Sequence, residues 1–125
     1  MKKSIFILLF SIFPLTACNE VHLTMKDSGK TIKASPGTLI SIVLVSNRST
    51  GYSWRNISYD HAIIESVGDP EYKKNEKGLV GAPGEVVFTF KALRNGQTDM
   101  VMEYGSSHET DKEALKKFSI KVVVD

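Results

Sequence analysis

The 125-residue chain predicts an all-β fold, an antiparallel β-sandwich of seven to eight short strands. Three features carry that expectation. Short runs alternate apolar and polar side chains, the period-2 pattern of a half-buried strand. Turn signals separate these runs: "DSG" at 27–29, "SPG" at 35–37 and "RNG" at 94–96. Past the apolar N-terminal run, no segment carries an apolar stripe two helical turns long, so helices have nothing to pack with. Hydrophobic content of 42% and charged content of 24% suit one modest core and argue against wholesale disorder.

Val21–Met25 ("VHLTM") opens the series, and "KTIKAS" at 30–35 follows the first turn. Thr38–Ser46 is β-branched on both parities, which marks a strand covered on both faces or a very apolar one. Tyr52–Ser58 and Ala62–Val67 are two shorter candidates. Glu71–Gly78 ("EYKKNEKG") reads as a solvated charged arm. In 85–93, Val86, Phe88, Phe90 and Ala92 alternate against Val87, Thr89 and Lys91. "RNG" then predicts a hairpin, because Asn-Gly tolerates positive φ. Met100, Met102 and Tyr104 share one face of 97–104, and Phe118, Ile120, Val122 and Val124 share one face of 117–124. "HETDKEALKKF" at 108–118 is too short for a stable helix and reads as loop with one turn at most.

The N-terminus stands apart. Lys2 and Lys3 precede an apolar run from Ile5 to Pro14 and then small residues, the layout of a secretory signal. "LTAC" at 15–18 resembles the lipobox of bacterial lipoproteins. That resemblance implies cleavage of residues 1–17, acylation of Cys18 and a single mature domain over 18–125. It implies a lipid-anchored protein of the cell envelope, and Asn19 in the next position, rather than Asp, resembles lipoproteins sorted to an outer membrane. In a cell with two membranes, it would sit on the outer one, facing the periplasm or the cell surface. Cys18 is the only cysteine, so no intrachain disulfide forms. Loss of Lys2 and Lys3, with no acid beside them, takes the formal charge from +2 to zero. A neutral domain with interspersed signs lacks the footprint of a nucleic-acid binder.

Alternation of strands places every second connection at the same pole. The loops at 47–51, about 68–84 and 105–116 therefore share one end, and recognition is commonly placed on such loops. Their sequences are "NRSTG", "KGLVGAPG" and "GSSHETD".

At these loops the chain resembles the chagasin family of cysteine-peptidase inhibitors. The family's first loop reads N-P-T-T-G-Y/F, with a tryptophan two residues on. Asn47, Thr50, Gly51, Tyr52 and Trp54 match, while Arg48 and Ser49 replace proline and threonine. The second loop, G-x-G-G after apolar residues, corresponds to Leu79, Val80, Gly81, Ala82, Pro83 and Gly84, where both glycines match and Pro83 departs. The third, R-P-W, has no counterpart, and Ser106, Ser107 and His108 stand there instead. The resemblance implies an immunoglobulin-like sandwich whose three loops occlude the cleft of a papain-like peptidase. It implies a reversible, non-covalent, monomeric inhibitor with no catalytic residue, metal or cofactor. In this reading Thr50, stiff at χ1, stands at the apex. Asn47 bonds the amides of its own loop, and Tyr52 and Trp54 anchor the base in the core.

Other constellations are weaker. "GLVGAPG" lacks the G-K-[ST] ending of a phosphate loop. His22, His61 and His108 have no metal-ligand spacing. Ser106, Ser107, His108 and Asp111 contain triad letters without a nucleophile elbow. The competing reading is an envelope-anchored immunoglobulin-like binding or structural domain that does not inhibit a peptidase.

Overall fold

The computed structural model describes residues 19–74, 83–109 and 111–125. Among the described residues, the chain forms nine strands: β1 (Glu20–Leu23), β2 (Thr31–Ala34), β3 (Leu39–Ser46), β4 (Tyr52–Ser58), β5 (Ile64–Ser66), β6 (Glu71–Lys73), β7 (Gly84–Ala92), β8 (Gly96–Ser106) and β9 (Lys116–Val124). One sheet runs β1-β3-β7-β5 with β6 also on β7, and the other runs β2-β9-β8-β4.

The strongest alternations form the strands that line the core. Val86, Phe88, Phe90 and Ala92 of β7 are buried, as are Met100, Met102 and Tyr104 of β8. Phe118, Ile120, Val122 and Val124 of β9 lie beside the β8 residues in the same sheet and face those of β7 across the sandwich, within one cluster that also holds Ile40, Ile42, Leu44 and Trp54. Each large side chain so buried contributes about 2 kcal/mol relative to exposure. On β3 the outward residues Leu39, Ser41 and Val43 are half-buried and Val45 is exposed, so this is a very apolar strand rather than one covered on both faces.

Several expectations are corrected. Among the described residues nine strands are present rather than seven or eight, and the sheets are not purely antiparallel, because β1 pairs with β3 and β2 with β9 in parallel. A capping box of Thr24 and Asp27 closes the 3-10 turn Met25–Asp27 between these two edge strands. Part of the charged arm is a strand: Glu71–Lys73 pairs with Glu85–Val87 along the same edge of β7 that Ile64–Ser66 occupies further down. "RNG" is not a hairpin, since β7 and β8 belong to different sheets and the turn carries the chain across the sandwich. Asn95 is not in the positive-φ region that a tight Asn-Gly hairpin demands.

Candidate functional site

Register fixes which connections meet. Ser46, the last residue of β3, pairs with Gly84, the first of β7. Tyr52, the first residue of β4, pairs with Ser106, the last of β8. Lys116, which opens β9, pairs with Tyr104 on the same strand. The three expected connections therefore leave one pole, the middle one starting after Lys73 rather than near residue 68. First and third connections touch: the backbone N–H and the hydroxyl of Ser107 both donate to the Gly51 carbonyl, at 2.9 and 2.7 Å.

The first connection is a compact knot. Arg48–Thr50 forms a 3-10 turn that Gly51 ends in the left-handed region, φ 81° and ψ 12°, where a side chain would be strained. Thr50 donates its N–H and its hydroxyl to the Asn47 carbonyl, at 3.2 and 2.6 Å. The Thr50 hydroxyl is thus turned into the loop, while Thr50 itself remains exposed at the apex. The Asn47 side chain accepts the Ser49 hydroxyl at 2.6 Å and does not cap the turn. Arg48, standing where the family pattern has proline, lays its guanidinium 4.2 Å from the ring centroid of Tyr72 on β6. That cation–π contact ties the loop tip to the strand leading into the second connection.

The base of the loop is aromatic, with a different cast from the one expected. Trp54 is buried, and its indole N–H donates to the Val45 carbonyl at 3.0 Å, linking the two sheets. Tyr52 is 36% exposed, so it lies at the mouth of the sandwich rather than in the core. Tyr104 takes its place. Its phenol oxygen accepts the Asn47 N–H at 3.1 Å, and its ring lies 5.2 Å from Trp54 and 6.2 Å from Tyr52 between centroids. The alternation of β8 marks Tyr104 as a core residue, but nothing local reveals a bond to a loop so distant in sequence.

In the second connection, Leu79, Val80, Gly81 and Ala82 lie outside the described residues, as does Cys18. Pro83 is exposed. Gly84 belongs to β7 rather than to the loop, and a Cβ there would stand 2.1 Å from the Lys73 carbonyl oxygen, so close approach of β6 requires glycine. In the third connection the Ser106 hydroxyl accepts the N–H groups of His108 and Glu109, at 3.2 and 3.0 Å. Ser106 and Ser107 are thus engaged in shaping the connection, while His108 is exposed beside Gly51. Beneath them lies the buried Arg55, which no motif singled out.

A family model described as chagasin family peptidase inhibitor I42 matches residues 33–122. The chain belongs to the chagasin family of peptidase inhibitors. It is therefore an inhibitor rather than an enzyme. Amoebiasin-2 of Entamoeba histolytica is 32% identical over 126 residues, covering 99% of each chain. The crystal structure of the cysteine protease inhibitor EhICP2, from the same organism, superposes with a TM-score of 0.77 at 30% identity, over 88% of this chain and 99% of that one. PbICP-C, solved in complex with falcipain-2, shares the fold with a TM-score of 0.54 at 22% identity, over 90% and 96% of the two chains. The immunoglobulin-like sandwich of chagasin-family proteins is the fold found here.

Proposed function

We propose that the chain inhibits papain-like cysteine peptidases reversibly and without a covalent bond, by seating the 47–51, 74–83 and 107–115 connections in the active-site cleft. The observation that carries this reading is the common pole, where Ser46 meets Gly84 and Ser107 meets Gly51. One cleft could receive all three connections at once, and a preorganised tip loses little freedom on binding. Contacts of standard size between peptidases and inhibitors can be very tight. Family membership supports the same activity, as does likeness to a cysteine protease inhibitor at 30% identity. Residues 47–52, 79–84 and 106–108 are the proposed contacts, with Thr50 at the apex. Titrating papain with the chain tests the proposal: stoichiometric, reversible loss of activity is expected. No inhibition at micromolar protein would favour a binding or structural domain.

The reading extends to location. Residues 1–17 serve as a bacterial lipoprotein signal, and acylated Cys18 anchors the domain in the cell envelope. In a cell with two membranes, it anchors in the outer one. Glu20 pairs with Leu39 at the start of β3, whereas the candidate loops follow Ser46 at its end. An anchor at Cys18 would therefore hang from the pole opposite the loops and leave them directed away from the lipid. Mass spectrometry of the N-terminal peptide tests this. An acylated Cys18 is expected, and an unmodified thiol or an intact Met1 would contradict it.

A further inference from the structure

Arg55 is 8% exposed and follows the core tryptophan on β4, so one of the two must face away from the core. Arg55 lies on the outer face of its sheet, under the third connection. One of its terminal nitrogens, Nη1, donates to the carbonyls of Ser106 and Glu109 at 2.7 and 2.9 Å. The other, Nη2, donates to the carbonyl of Lys112. Three carbonyls spaced three residues apart in sequence thus converge on one planar cation. Glu103 Oε1 stands 3.8 Å from Nε, which has no hydrogen-bond partner among the described residues. The guanidinium fits only because position 105 is glycine: a Cβ there would lie 2.7 Å from Cζ and 2.8 Å from Nη2.

From this geometry we infer that Arg55 is the positioning residue of the third connection, holding it for peptidase contact where the family's R-P-W motif is missing. The inference rests on the inhibitor reading above. A buried charge is costly unless it is satisfied, and here the satisfying groups are loop carbonyls drawn inward. Drawing them inward fixes the backbone on either side of Ser107, whose two bonds to Gly51 then couple this connection to the apex of the first. His108 is carried to its place beside Gly51 by the same chain of contacts. A flat fork with several donors is what the three carbonyls need, and the single ammonium of lysine cannot reproduce it.

The test compares wild type, Arg55→Ala and Arg55→Lys in papain inhibition, hydrogen exchange and thermal unfolding, with methylguanidinium added to Arg55→Ala below denaturing concentrations. Arg55→Ala is expected to weaken inhibition about tenfold or more through faster dissociation, as loss of preorganisation should. Exchange at the Ser107 amide should rise while the amides of β7 and β9 keep their protection. Methylguanidinium should restore inhibition, which a merely structural loss would not allow. If Arg55→Ala fails to fold, Arg55→Lys decides: weaker inhibition with an exposed Ser107 amide is expected. Either variant inhibiting like wild type overturns the assignment of Arg55 and leaves the inhibitor reading standing. A wild-type chain that does not inhibit overturns the inhibitor reading itself, and the inference with it.

Discussion

The phenol oxygen of Tyr104 accepts the backbone N–H of Asn47 at 3.1 Å, across 57 positions of sequence. A core side chain on β8 thereby fixes the first residue of the exposed 47–51 connection. Tyr104→Phe keeps the ring packing against Trp54 and removes only the acceptor. We expect a loss of about 1 kcal/mol in stability, seen by denaturant unfolding, and faster dissociation of the papain complex. Unchanged dissociation would separate the Tyr104 hydroxyl from the function of the loop.

Gly51 has φ 81°, and the nearest atom to an added Cβ is His108 Cδ2 at 4.0 Å, so space is open and only the backbone resists. Gly51→Ala should cost about 1 kcal/mol, the usual penalty for a left-handed alanine. Gly51→Asn should recover part of it, since asparagine tolerates that region. Thermal unfolding of the two variants against wild type checks the order.

Asp27 predicts a pH effect remote from the site. The backbone N–H of Thr24, and then the ammonium of Lys30, hold its carboxyl below the usual carboxylate value. Its folded pKa is below its unfolded one, so its contribution is complete above the unfolded value. That contribution disappears as pH falls through the folded value. Asp27→Asn should therefore melt below wild type at neutral pH, and the gap should close at the acid end of a pH series. A gap constant with pH would exclude the carboxylate as its source.

Legibility followed the reach of the interactions. β7, β8 and β9 were readable because each presents a strict alternation that one buried face enforces, and their inward residues are the predicted ones. The common pole was readable too, since it follows from strand alternation. β6 was not: Glu71–Lys73 is exposed throughout and, among the described residues, pairs only with β7, so its sequence carries no burial signal. Likewise Asn-Gly at 95–96 marks a turn but not its destination, which here is the opposite sheet. Arg55 was invisible because its burial comes from carbonyls more than 50 positions away. Tyr52 misled because its parity matches Trp54, yet it sits at the open end of the strand where the sandwich no longer covers it.

Two charge substitutions at opposite poles test the account most directly, with inhibition constants against papain compared for wild type, Thr50→Asp and Arg94→Asp. Thr50 lies at the exposed apex of the first connection, and Arg94 is exposed at the other end of the sandwich. An unpaired carboxylate forced into a closed interface costs about 3 kcal/mol or more, so Thr50→Asp should weaken inhibition about a hundredfold. Arg94→Asp should leave it unchanged. Thr50→Asp inhibiting as well as wild type would contradict the proposal that this pole enters the peptidase cleft.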